Sequence, residues 1–327
     1  MVDRFYHPFR VDGSAWKLRK SFCETAPRPT APGGFAFAII VGLTLLAATS
    51  ASFAGQDGAL DRLEHAPNGW RGHVFVPQFD YPASPSAEVH PCTAVSFRKE
   101  PQKYLRLVLD YALSGQDREH WRLQANTVRR WYHVPWLGPG PTGREFIHGL
   151  TRGRDLAAGD LGPLQTACRQ TWALAFYNDA GGAVLGRVWG RVARGHGGPD
   201  LSALPFPFGT VAVKLVFTEA TAADDPRLEG APELLANIHA DATPNDERCA
   251  PSVDNMGRAA ARAPRNLRLL QFDVAVREER ASYKTGWVFG SFRFDGRLPG
   301  RDPWAKLVTL GLMWGNEPDM SDADVVA

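Results

Sequence analysis

The segment FPFGTVAVKLVFTEA, Phe206 to Ala220, decides how the rest of the chain is read. Val211, Val213, Leu215 and Phe217 alternate with Thr210, Ala212, Lys214, Val216 and Thr218, the period of two that belongs to a β-strand. One lysine stands mid-strand among small and apolar neighbours. Its face is either wetted, with the aliphatic stem laid over the sheet, or covered by something that a cation attracts. Patterning leaves both open.

Runs of the same kind lie on either side. GREFIHGLT (Gly143–Thr151) is apolar and short enough for one strand, and TWALAFYND (Thr171–Asp179) alternates before turning at Asp179–Gly182 into AVLGRVWG as a hairpin. NLRLLQFDVAVRE, TGWVFGSFRFDG and WAKLVTLGLMWGNEP supply three more strands downstream. The short links between several of these runs suit antiparallel pairing. Thr221 to Pro264 is polar and rich in Pro and Ala, and reads as a surface excursion with one short helix.

Helical periodicity gathers at the front. PQKYLRLVLDYALSG places Leu105, Val108, Leu109 and Ala112 on one face and stops at Gly115, and REHWRLQANTVRR (Arg118–Arg130) is a second helical stretch. LGPGPTG (Leu137–Gly143) then breaks the pattern. The expected class is α+β, a mainly antiparallel sheet with N-terminal helices packed on it. Residues 1–54 form a lead, 55–100 an irregular arm containing YPASPSAEVHP, and 101–327 a single domain whose β core runs from 144 to 315.

The compartment is legible from the front of the chain. Lys17, Arg19, Lys20 and Arg28 precede the uncharged run FAFAIIVGLTLLAATSASFA (Phe35–Ala54), which closes on Ser52-Phe53-Ala54. A basic lead, an apolar run and a small-residue exit describe a secretory signal cut after Ala54, and the same run is long enough to act as an inner-membrane anchor if uncut. Either way the body is periplasmic or secreted. With 37 Lys and Arg against 35 Asp and Glu, no basic field calls for nucleic acid. Once residues 1–54 are removed, Cys92, Cys168 and Cys249 remain, and the Pro-flanked loops around Cys92 and Cys249 make that pair the expected disulfide.

No G-x-S-x-G, H-E-x-x-H, phosphate-cradling or EF-hand motif occurs. The densest chemistry-bearing region is RRWYHVPW (Arg129–Trp136) with GREFIHGLTR (Gly143–Arg152), where His133 and His148 stand among aromatics and arginines. An imidazole serves as base, proton shuttle or ligand, or simply bonds a backbone carbonyl. Arg144 and Arg152 bracket Glu145 as a surface ion pair. Asp273 shares one strand face with Leu269, Gln271 and Ala275, opposite Leu270, Phe272, Val274 and Val276, so that face either borders a pocket or meets water. Gly290, mid-strand in GWVFGSFRF, marks the close approach of a backbone or ligand.

FPFGTVAVK (Phe206–Lys214), preceded by LAFYND and followed by GWVFGSF (Gly286–Phe292), resembles the pattern of the cytochrome P-460 family. The resemblance covers Thr171 to Phe294 and implies an exported, mainly antiparallel β core, a redox role, and a haem-like ligand. It implies that Lys214 faces the cofactor, as the lysine of this strand does in cross-linked members, with Phe289 and Phe292 as candidate aromatic walls. The C-x-x-C-H ending of the haem-bearing members is absent, which excludes covalent c-type haem and its axial histidine and leaves His133 or His148 as the replacement. Two other expectations stand beside this one: a cofactor-free envelope protein, and an ADP-ribosyltransferase-like enzyme with His148 of FIHGLT on a nicotinamide-binding strand.

Overall fold

The computed structural model describes residues 65–85, 94–135, 139–140, 143–190, 198–240, 249, 261–281 and 286–314. Among these, two helices, α1 (Pro101–Leu113) and α2 (Asp179–Trp189), accompany ten strands. The strands are β1 (Trp131–His133), β2 (Pro139–Gly140), β3 (Gly143–Arg144), β4 (Thr151–Arg152) and β5 (Thr171–Asn178), followed by β6 (Val211–Thr218), β7 (Glu233–His239), β8 (Arg262–Arg277), β9 (Trp287–Phe294) and β10 (Leu307–Trp314). The expected α+β class holds. β6 lies inside an eight-stranded antiparallel sheet of order β1-β5-β6-β8-β9-β10, with β4 added on β5 and β7 on β8. Arg268 of β8 is paired by Thr218 on one side and Glu233 on the other, so β7 and β9 share one edge of β8 end to end.

The main core forms on the face chosen by the alternation of β6. Val211, Val213, Leu215 and Phe217 are buried with Leu174, Phe176, Phe272, Val274, Val288 and Phe292 beneath α1, whose Leu105, Val108, Leu109 and Ala112 are also buried. β7 and the first half of β8 bring Leu234, Ala236, Ile238 and Leu267 into the same core, until His239 meets Trp172 with ring centroids 5.4 Å apart. Gly290 is where α1 touches the sheet, because a Cβ there would lie 2.1 Å from Leu105 Cδ2. The expected close approach is therefore made by a helix side chain. Gly290→Ala is expected to cost about 2 kcal/mol through overpacking. Leu105→Ala should cost less in that background than alone, a coupling that urea unfolding of the double-mutant cycle measures.

Several sequence expectations are overturned for local reasons. The turn at Asp179–Gly182 does not make a hairpin: Asn178 Oδ1 accepts from Gly181 N at 3.2 Å, and α2 begins. Its Val184, Leu185 and Val188 recur at helical spacing and are buried against the other sheet face. Arg118–Arg130 forms only a short 3-10 turn at Leu123–Ala125, since Trp121 takes φ 53° and the Asp117 side chain accepts from the Glu119 and His120 amides. Gly143–Thr151 is not one strand but the ends of β3 and β4, joined through a turn in which His148 and Gly149 take φ 57° and 67°. The stretch 221–264 carries β7 in addition to a 3-10 turn at Pro226–Leu228.

Cysteine pairing also differs from expectation. The disulfide joins Cys168 to Cys249, Cα atoms 5.9 Å apart, tying the segment ahead of β5 to the β7–β8 connection. Cys92, the leader and its cleavage point, Trp136 and residues 315–327 lie outside the described residues. Among the described residues no helix is long and apolar enough to cross a membrane.

Candidate functional site

The second face of the sheet is covered at its two ends and half-open between them. At one end α2, Tyr177, Ala212, Ala275 and Trp287 form a buried cluster with Phe206 against it. At the other, Leu161, Ala220, Leu228 and Leu270 form a smaller one. Between these rims runs the register row Ala175, Lys214, Asp273 and Ser291, each partly exposed. The result is a half-open strip of sheet face between two covered ends, a trough in that sense alone, with Lys214 in its centre.

Chemistry in the trough is uneven. Asp273 Oδ1 accepts from Ser291 Oγ at 2.7 Å and from Gln271 Nε2 at 2.6 Å. Lys214 Nζ stands 3.9 Å from Asp273 Oδ2, an ion pair too long to be a hydrogen bond. The Lys214 and Asp273 side chains are 19% and 23% exposed. The ammonium thus carries three donors of which the described residues engage none by a short bond. Phe289, half-buried, lies on the same face and stacks on Trp287 at 6.5 Å.

The other expected site residues lie elsewhere. Phe292 is fully buried in the main core, on the opposite face from Lys214. His133 pairs with Phe176 in the β1–β5 register, which sets it on that same core face. The sheet therefore separates both His133 and Phe292 from Lys214 and Phe289. His133 is fully buried: its Nδ1 accepts from Gln78 N at 3.0 Å, and its own N–H donates to Gln78 O at 3.1 Å. Burial, then His148 and Arg144, push its pKa down to about 3. His148 is buried too, its Nε2 lying 2.9 Å from the His120 carbonyl, and burial brings its pKa to about 4. It sits in a turn and not on a strand.

The arginines around Glu145 do not form the expected surface pair. Glu145 pairs with Arg262, Arg152 with fully buried Asp155 at 2.7 Å, and buried Arg144 lies over the Phe79 ring at 5.1 Å. Position along β8 also shifts: a bulge opposite Val216 and Phe217 sends Leu269 into the main core and Leu270 into the cluster beside Asp225 and Leu228, the reverse of strict alternation. Sequence reasoning set Gln271 on the face of Asp273 but missed Ser291, which is brought to Asp273 only once β8 and β9 are in register.

A haem held between Lys214 and an axial histidine does not fit this arrangement, since Lys214 and His133 point to opposite sides of one sheet. His148 contacts Phe75 of the main core at 5.4 Å. No group of three or more His, Cys, Asp or Glu among the described residues could hold a metal ion. Against family models, curated proteins and solved structures, the chain has no match.

Proposed function

We propose that the chain is an exported binding protein whose half-open sheet face takes a planar or elongated apolar ligand bearing a carboxylate, reversibly and without turnover. The carrying observation is the Lys214 ammonium, held mid-trough by a stretched ion pair with Asp273 while Asp273 itself is satisfied by Gln271 and Ser291. A carboxylate meeting Lys214 gains charge-assisted hydrogen bonds without stripping Asp273 of its neutral donors. Phe289 and Trp287 offer an aromatic wall at one end of the trough. The cytochrome P-460 resemblance is kept in this reading as kinship of the β core, with Lys214 still facing a ligand. The Cys168–Cys249 disulfide supports export, since such bonds persist in oxidising compartments.

The test is native mass and absorbance of the protein recovered from an oxidising compartment, followed by titration with metal-free protoporphyrin IX and with a long-chain fatty acid. Retained ligand mass, or saturable binding of either probe that Lys214→Ala weakens about tenfold, is expected from the loss of a charge-assisted bond. An empty protein that binds neither probe, with Lys214→Ala unchanged, overturns the reading in favour of a cofactor-free envelope protein. A Soret band of histidine-ligated haem would overturn it in the other direction.

A further inference from the structure

His133 fastens the arm that precedes α1. Its amide donates to Gln78 O, its ring Nδ1 accepts from Gln78 N, and its carbonyl accepts from Tyr81 Oη. Just upstream, the Phe75 ring lies against the His133 ring at 4.9 Å and the His148 ring at 5.4 Å. It also sits over Gly149, where any Cβ would come within 2.3 Å of it. One imidazole and one aromatic ring thus hold the arm on β1, an edge strand of the sheet.

The tautomers are fixed by the partners. A backbone N–H only donates, so His133 Nδ1 is bare and its proton is on Nε2; a carbonyl only accepts, so His148 carries its proton on Nε2. A proton added to His133 Nδ1 sets two N–H groups against each other. The charged or titratable groups near His133 are Arg144 and His148, which repel a second charge, with Tyr81 bonded at its carbonyl. Around His148 they are His73 and His120, which repel it, and Asp117, which favours it. No carboxylate stands among the groups acting on His133 to offset a charge there.

We propose that residues 70–81 form an acid-released strap, in which protonation of His133 and His148 undocks the arm from β1 and uncovers that edge of the sheet. Burial, to which the Phe75 ring of the arm contributes on both imidazoles, keeps them neutral far below 6.5. Proton binding therefore favours the released state. Docking is intact above pH 6.5 and weakens as the pH falls below it, about tenfold per pH unit for each histidine until its docked pKa is reached.

Hydrogen exchange of the full chain tests this, read as protection factors at pH 7 and pH 4.5. The Gln78 and His133 amides are expected to lose protection about a hundredfold or more, from two pH units on either histidine. The β6 amides from Val211 to Thr218 should keep theirs. His133→Gln, whose side-chain oxygen accepts from Gln78 N without titrating, should hold the arm at pH 7 and blunt its acid release. An arm still protected at pH 4.5, or one lost only together with β6, overturns the proposal. If His133→Gln fails to fold, the contrast between arm and β6 in the unaltered protein still decides.

Discussion

Replacing Cys168 or Cys249 by serine is expected to lower stability by about 4 kcal/mol, as is reduction of the unaltered protein. The bond closes a loop between positions 81 residues apart, and on the chain-entropy account a closed loop of that size confines the unfolded chain by about that amount. Cys249 is 2% exposed whereas Cys168 is partly exposed, so reductant reaches the bridge from the Cys168 side. Urea midpoints with and without dithiothreitol, for the unaltered protein and both serine variants, check the prediction. The two variants should coincide with each other and with the reduced protein, and only the oxidised unaltered chain should stand apart. Equal midpoints throughout would mean that the bond does not form.

Asp225→Ala should be nearly as damaging, about 3–5 kcal/mol, because it strands buried charge. The Asp225 carboxylate is 4% exposed, accepts from Arg293 Nη2 at 2.5 Å and from Arg227 Nε at 2.9 Å, and caps the turn through Arg227 N at 3.1 Å. Burial already pulls the Arg293 pKa down from its ordinary value, and Arg227 adds to that. Without the carboxylate, two guanidinium groups face each other beside β9. Asp225→Asn keeps the cap and should lose less. Thermal melts of the two variants measure the difference, and since this cluster borders one rim of the trough, Asp225→Ala should also weaken probe binding.

Much of the sheet was readable from local pattern. The strands around Val211, Phe272, Phe292 and Val308 each carry enough alternating or β-branched and aromatic residues to announce themselves, and Pro101 to Leu113 has a clean helical stripe. What escaped was decided by interactions distant in sequence or by single side chains. β7 reads ELLANIH, whose inward Leu234, Ala236 and Ile238 are diluted by Ala and Asn and become a strand only by pairing with β8. α2 turned on one cap, Asn178, against a glycine pair that argues for a turn. Of the residues expected at a site, Lys214 and Phe289 share one face of the sheet, whereas His133 and Phe292 belong to the other. No periodicity within one strand tells which of its two faces a distant strand's residues will share.

β8 has a further consequence. Its sixteen residues bind β6 on one edge and both β7 and β9 on the other, so the centre of the sheet is supplied by a segment late in the chain. During synthesis β5 and β6 are complete long before it, and one edge of VAVKLVFT must wait open. Pairing so distant in sequence is slow, and a waiting hydrophobic edge invites the wrong neighbour. Lys214 is the one charge in that strand. A lysine on an otherwise apolar open edge disfavours pairing of that edge with another copy of itself.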